Sequence, residues 1–195
     1  MKHLLFTAAL AFGLAGCSNS TPTISSGNVQ YGDSTAAETL TNQFGSTDMQ
    51  TIAETMARSL AQWAAGQSQR PLVTIADVKN RTDEYIDTQS ITDSIRVQLL
   101  KSGTMRFATD IAGMQNQTDE LVRQTNTGLY QQDTAAKLGR MKGAQYRIEG
   151  SISSIVKQTD NVKDVYYSFS LIATSIEDGT IEWADEKDIR KTSVN

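Results

Sequence analysis

The chain has 195 residues, 22 of them acidic and 18 basic, and its formal net charge of −4 argues against nucleic acid or an anionic membrane surface as a partner. Its only histidine is His3 and its only cysteine is Cys17. A mature chain that loses its first residues therefore has no imidazole for a Ser-His-Asp or Cys-His site, and it lacks the usual zinc ligands. We expect neither a metal nor a cofactor, and only carboxylate-based catalysis is left open.

Residues 1–16 have the layout of a secretory signal peptide. Lys2 and His3 give a polar, positively charged start, the run from Leu4 to Leu14 is apolar apart from one threonine, and small residues precede Cys17. Eleven residues at about 1.5 Å each span only about half of a bilayer core of roughly 30 Å. The segment is therefore predicted to be removed rather than to cross the membrane.

The ending Leu14-Ala15-Gly16-Cys17 resembles the lipobox of bacterial lipoproteins. The resemblance implies cleavage after Gly16, with a diacylglycerol on the Cys17 thiol and an acyl chain on the new amino group. Ser18 is typical of sorting to the outer membrane, where the lipid would hold the protein facing the periplasm. The alternative is an ordinary signal peptide followed by an incidental cysteine.

Residues 17–45 carry the predicted lipid site and a tether. Serine, threonine, asparagine and glycine dominate, and the apolar residues have no period. Such a segment buries too little surface to offset the entropy of ordering it, so it is predicted to be flexible. About 28 residues span roughly 90 Å when fully extended. Tyr31, Leu40 and Phe44 are the residues that would dock on the domain instead.

The globular domain is predicted over residues 46–195 and begins with a helix from Thr47 to Ala65. Thr47 and Gln50 fit a capping box. Apolar residues at spacings of three and four mark the face that packs on the core, namely Met49, Ile52, Met56, Leu60 and Trp63.

The next predicted elements are a strand over residues 71–78, a loop over 79–86, a helix over 87–102 and a strand over 105–108. A partly helical segment over 110–130 and a short helix over 133–143 follow. Asp87 can cap the helix and Gly103 can end it. The order strand, helix, strand favours a right-handed crossover between parallel strands. Asp133 is the predicted cap of the short helix.

The last fifty residues change character, because β-branched and aromatic residues predict strands over 145–158, 165–177 and 180–191. The middle strand alternates, with Tyr167, Phe169, Leu171 and Ala173 on one face and Tyr166 on the other. Asp178-Gly179 is a strong hairpin turn. The predicted fold class is α+β, a single domain with a mixed, roughly five-stranded sheet that ends in an antiparallel meander, packed by about four helices.

Several stretches resemble one family in the same order. Val78-Lys-Asn-Arg-Thr82 looks like the V-x-N-R-T loop of the LpoB lipoproteins, the outer-membrane activators of penicillin-binding protein 1B. Gly143-Ala-Gln-Tyr146 is similar to the G-A-x-Y entry into that family's sheet, and Glu177-Asp-Gly-Thr-Ile-Glu-Trp183 to its T-G-E-I-I-W hairpin. With the Asp87–Gly103 helix, the resemblance covers roughly residues 70 to 190.

Membership implies a non-enzymatic regulator of peptidoglycan synthesis. Such a protein binds a bifunctional class A penicillin-binding protein from across the periplasm and stimulates its glycan polymerisation, and we expect it to be a monomer. One departure is the tether, which is longer and proline-rich in the best-known members, whereas Pro22 is the only proline here.

Five residues are candidates for contact with a partner: Asn80, Arg81, Thr82, Tyr166 and Trp183. Tryptophan and arginine are frequent among binding hot spots. The alternative for Asn80, Arg81 and Thr82 is loop chemistry, with Arg81 paired to a neighbouring carboxylate. The alternative for Trp183 is packing on the sheet.

Two other functions stay open. The chain can be a structural lipoprotein subunit of a secretion or flagellar assembly, whose related domains share single motifs, and a large ring would then replace the monomer. A carboxylate-based wall hydrolase would need two separated acids in a cleft. Asp83 and Glu84 are adjacent loop carboxylates, an arrangement more typical of solvated side chains than of an acid–base pair.

Overall fold

The structure, a computed structural model, describes residues 38–131 and 133–194, so the predicted signal peptide, Cys17 and most of the predicted tether lie outside it. Its elements are α1 (Ser46–Ala65), β1 (Leu72–Ile75), β2 (Lys79–Arg81), α2 (Thr88–Ser102), β3 (Arg106–Phe107), α3 (Ile111–Asn126), β4 (Tyr146–Gln158), β5 (Val162–Ser175) and β6 (Ile181–Val194). The α+β class and the mixed sheet are confirmed, with six strands and three helices. None of the described helices combines the length and hydropathy needed to cross a bilayer.

The sheet has the strand order β3-β1-β4-β5-β6, and β2 pairs with β4 further along the same edge as β1. The pairs β1–β3, β1–β4 and β2–β4 are parallel, which agrees with the crossover expected for β1 and β3. β4, β5 and β6 form the predicted antiparallel meander over most of their length. These three long strands therefore supply most of the surface of the sheet.

The core lies between one face of the sheet and the helices α1 and α2. The apolar stripe of α1 is buried as predicted, with Ile52, Met56 and Leu60 fully enclosed. Alternate residues of β5 meet it, and the predicted inward set of Tyr167, Phe169, Leu171 and Ala173 is buried without exception. α2 adds Ile91, Ile95 and Leu99 from the same side.

Two predictions near the start of the domain are corrected. α1 begins at Ser46, and the capping box uses Asp48, whose carboxylate accepts the Gly45 N–H at 2.8 Å, rather than the pair Thr47 and Gln50. Residues 79–81, predicted as loop, form β2. β1 ends at Ile75, and beyond this point the edge of β4 has no partner from β1. Residues 79–81 therefore pair with β4 there and extend the ladder.

The predicted short helix over residues 133–143 is wrong, since its described residues form turns. Gly139 has a left-handed backbone with φ of +74°, which interrupts a helix. Leu138 and Met141 are 62% and 50% exposed, so a helix here would have no surface to pack on. The preceding segment, predicted as partly helical, is the regular helix α3, capped by Asp110.

The turn between β5 and β6 leads to a prediction about acid. The Asp178 carboxylate accepts hydrogen bonds from the N–H and the hydroxyl of Thr180, and the backbone bond is the main cause that lowers the pKa of Asp178 from 3.8 to about 2. A lowered folded-state pKa adds stability above about pH 4 that is lost as the pH falls towards 2. Asp178→Asn should therefore lower the melting temperature at pH 6 but not at pH 2. An equal decrease in melting temperature at pH 6 and at pH 2 would contradict this.

Candidate functional site

The face of the sheet that points away from α1 and α2 is a candidate binding surface, because no described helix packs along it. We call it the open face. It consists of Lys79 and Arg81 on β2, alternate residues from Arg147 to Ile155 on β4, alternate residues from Asp164 to Ile172 on β5, and alternate residues from Ala184 to Arg190 on β6. Its central positions are half-buried and its β6 positions are exposed.

The open face brings together two of the five sequence candidates, Arg81 and Tyr166. Arg81 pairs with Ser153 in the ladder, and Tyr166 lies on the next strand beside Ile155. Arg81 is exposed and forms no ion pair with any residue that the structure describes, so the alternative in which it pairs with a neighbouring carboxylate does not apply. Its guanidinium is therefore free for a partner.

Tyr166 is the centre of an aromatic and charged cluster. The Arg190 guanidinium lies 5.7 Å from the centre of the Tyr166 ring, and Arg190 also pairs with Asp164 at 3.6 Å. A hydrogen bond with the Asp188 carboxylate is the main cause that raises the pKa of the Tyr166 hydroxyl. Ile155, next to Tyr166, is 60% exposed. Tyrosine and arginine around an exposed aliphatic residue are typical of protein-binding hot spots.

Asn80 and Thr82 are engaged in their own loop. The Asn80 side chain donates to the Glu84 carbonyl at 2.8 Å and accepts the Thr82 N–H at 2.9 Å, while the Thr82 hydroxyl donates to Asn80 Oδ1 or to the Glu84 carbonyl. The loop chemistry expected as the alternative is thus what the structure places here. These bonds hold the chain just after Arg81 in one conformation, which fixes the position of Arg81.

Trp183 lies on the opposite side of the sheet from the open face. Its indole Nε1 donates to the Ser59 hydroxyl of α1 at 3.3 Å, and the ring is partly buried against the core. Packing accounts for this tryptophan, and its position separates it from Arg81 and Tyr166. Successive side chains of β6 point to opposite faces of the sheet. A shift of one residue in the pairing of β5 with β6 would therefore move Trp183 to the open face.

Glu84 forms hydrogen bonds inside the domain, whereas adjacent loop carboxylates such as Asp83 and Glu84 were expected to be solvated. Its carboxylate accepts the Phe44 N–H at 3.1 Å and a short hydrogen bond from the Tyr167 hydroxyl. Burial, together with this bond, raises the pKa of Tyr167, so the hydroxyl stays protonated and donates. Within residues 38–131 and 133–194, no group of acidic side chains has the arrangement of a metal site.

The contacts of residues 38–45, which we call the strap, were not predicted from the sequence. The Glu38 carboxylate accepts the N–H groups of Ser46 and Thr47 at the start of α1. The Asn42 side chain donates to the Lys163 carbonyl at 3.0 Å, and the Asn42 backbone carbonyl lies 3.0 Å from the Tyr167 hydroxyl, as an alternative acceptor to Glu84 for its single proton. The strap therefore links the predicted tether to α1 and β5.

Three residues of the tether, Tyr31, Leu40 and Phe44, were named as those that would dock on the domain, and the strap contains the last two. The Phe44 ring meets the Tyr167 ring edge-on, with the ring centres 5.7 Å apart. Leu40 is 79% exposed and does not dock. Tyr31 lies outside the described residues. A signal for the strap was present only in Phe44, because its other contacts are made by polar side chains that also suit a flexible tether.

The comparison with protein-family models identifies one family. The LpoB family, described as "Peptidoglycan-synthase activator LpoB", matches residues 48–189. The LpoB C-terminal domain from Salmonella enterica is 18% identical, with 73% of this chain and 98% of that chain covered and a TM-score of 0.44. The domain from Escherichia coli is 17% identical with the same coverage and a TM-score of 0.43. A comparison with curated proteins gives no significant match.

Proposed function

Because the chain belongs to the LpoB family of peptidoglycan-synthase activators, we propose that it is an outer-membrane lipoprotein that binds and activates a class A penicillin-binding protein of the 1B type. The family consists of regulators rather than enzymes, and a regulator acts by binding. The observation that carries the proposal is the family match, which spans most of the domain. Lipid on Cys17, after cleavage behind Gly16, would hold the protein at the membrane while the domain acts across the periplasm.

The proposed docking surface is the open face around Arg81 and Tyr166. Arg81 is exposed and has no ion pair among the described residues, and the Tyr166 ring is held by Arg190. Asn80 and Thr82 use their polar groups within their own loop, and Trp183 donates to Ser59 of α1, which leaves Arg81 and Tyr166 as the two candidates on the open face. Docking requires no rearrangement of the core, because the face is formed by paired strands.

Activation follows if the face binds the active conformation of the synthase more tightly than the inactive one. A fivefold rise in activity needs only about 1 kcal/mol of difference between the two binding free energies. Truncating an arginine or a tyrosine at a hot spot typically costs about 2 kcal/mol or more, so one such contact made only with the active conformation is sufficient. We propose that a single chain is the active unit, because the long edge strand β6 is rich in charged residues, which oppose edge-to-edge pairing.

The test adds residues 18–195 to the purified class A synthase of the same organism and follows glycan polymerisation from the lipid-linked precursor. We expect a several-fold, saturable increase in rate. Arg81→Ala and Tyr166→Ala should each raise the half-saturating concentration about tenfold or more. Arg58→Ala is the matched control, because Arg58 is an exposed arginine on α1, on the other side of the sheet.

Two results would count against the proposal. A folded wild-type domain that leaves the rate unchanged would contradict activation of that synthase. Equal effects of Arg81→Ala and Arg58→Ala would remove the open face as the docking surface. Light scattering on the same preparation should give the mass of one chain, whereas a large ring would favour the alternative of an assembly subunit.

A further inference from the structure

The ladder register of the sheet arranges part of the open face in rows that run across the strands. Two neighbouring rows, from β2 through β4 and β5 to β6, are Lys79, Ser151, Ser170, Glu186 and Arg81, Ser153, Ser168, Asp188. Each row begins with a cation, continues with two serines and ends with a carboxylate. We call Lys79 with Arg81 the basic pole and Glu186 with Asp188 the acidic pole.

The two poles are too far apart to neutralise each other. β2 and β6 are separated by three strand spacings, which is about 14 Å. The Debye length at physiological salt is about 8 Å, so each pole presents its own sign to the solvent. No described residue forms an ion pair with Lys79, Arg81 or Glu186. The Asp188 carboxylate forms a hydrogen bond with the Tyr166 hydroxyl and has no ion pair with a described residue.

Other charges of the open face are already paired with one another. Arg147 pairs with Glu149 at 3.2 Å, and Arg190 pairs with Asp164 at 3.6 Å. These pairs lie on either side of the two rows along the strands. The separation of charge across the sheet is therefore due mainly to the two poles.

The surface between the poles can be approached closely. Its four serines have short side chains that are only partly buried, and their hydroxyl groups make no hydrogen bond with any described residue. A groove of about 890 Å³ runs along this part of the face, with Lys79, Arg81, Ser151 and Ser170 in its wall. Asp77 and Asp110 also line the groove, and Asp110 is engaged as the cap of α3.

We propose that the two poles fix the orientation in which the synthase docks on the open face, an inference that rests on the proposed function. The occupant is a protein surface with an acidic patch over Lys79 and Arg81 and a basic patch about 14 Å away over Glu186 and Asp188. If the same partner is rotated by about 180° on the face, its acidic patch lies over the acidic pole and its basic patch over the basic pole, so that like charges repel. Complementary charge of this kind sets register and speeds association more than it raises affinity.

The test exchanges the charges of one row while the net charge of the protein stays constant. Lys79→Glu/Glu186→Lys inverts the row, and Lys79→Gln/Glu186→Gln neutralises it. Glu54→Lys/Arg58→Glu, at exposed positions on α1, is the matched control with the same change of charge. Association of each protein with the purified synthase is measured by surface plasmon resonance at 50 and 500 mM salt, after circular dichroism has verified the fold.

At 50 mM salt we expect the inverted variant to associate about tenfold more slowly than the wild type and the neutral variant about threefold more slowly. The control should match the wild type, and the differences should shrink at 500 mM. Equal rates for the inverted and neutral variants would overturn orientation by the poles, as would an inverted variant that binds like the wild type. A wild-type protein that fails to bind at all would overturn the proposed function, which is a different result.

Discussion

Lys191→Met is expected to lower the free energy of unfolding by about 3–5 kcal/mol. The Lys191 ammonium contacts the Asp48 carboxylate, and the two side chains are only 12% and 8% exposed. Lys191 also donates to the Gln43 carbonyl at 2.7 Å, so it joins β6, α1 and the strap. Methionine keeps the length and the packing of the side chain but leaves the Asp48 charge buried without a partner. Chemical denaturation of residues 18–195 measures the loss.

A double-mutant cycle separates the pair from the packing. Asp48→Asn keeps an acceptor for the Gly45 N–H and removes the charge, so Lys191→Met should cost much less in its presence. Lys101→Met, at an exposed position on α2, is the control and should cost less than about 0.5 kcal/mol. If Lys191→Met costs no more than this control, the pair behaves like a surface ion pair and the buried network is not a source of stability.

Gly150→Ala is expected to be comparably damaging, at about 3 kcal/mol or more, the upper end of the usual cost of overpacking. A Cβ at this position would lie 1.9 Å from the Ser170 carbonyl oxygen and 2.7 Å from the Leu171 side chain. The nearer atom belongs to the backbone of β5, so no side-chain rotation relieves the clash. β4 and β5 would have to separate at the centre of the sheet.

Gly143→Ala is the matched control for this substitution. A Cβ at Gly143 meets no atom within 4 Å, and its φ is not among the positive values. The same chemical change should therefore be neutral or stabilise by about 0.4–1 kcal/mol through the unfolded chain. Thermal unfolding of the two variants tests this. Similar melting temperatures for Gly150→Ala and Gly143→Ala would show that the close approach of β4 and β5 does not require a glycine at position 150.

The parts of the fold that could be predicted are those with a strong local pattern. The alternation along β5 identified its buried residues, since period two leaves only two choices of face. Asp87 and Gly103 marked the ends of α2 because capping depends on neighbouring residues, and the structure has both, with Gly103 at φ of +71°. β2 was missed because three residues carry no period, and only the free edge of β4 makes them a strand.

The candidate site depended on information that the sequence does not carry. Arg81 and Tyr166 lie on one face, and Trp183 on the other, because of strand register, which is set by long-range pairing. The strap was missed for a related reason. Asn42 and Gln43 contact residues 121 and 148 positions further along the chain, and no local pattern predicts such bonds. The polar composition therefore predicted a flexible tether up to residue 45, whereas in the structure the last eight residues of that segment, 38–45, are bonded to the domain.

The strap also determines how the domain responds to mechanical force. A pull on the chain from its amino-terminal side reaches Glu38 before it reaches α1, so the bonds from Glu38 and Asn42 must break first. Peeling residues 38–45 lengthens the chain by only about 25 Å. The load then falls on Lys191 and Asp48, where β6 and α1 are joined. We therefore expect the strap to detach under load before the sheet that carries the open face is disturbed.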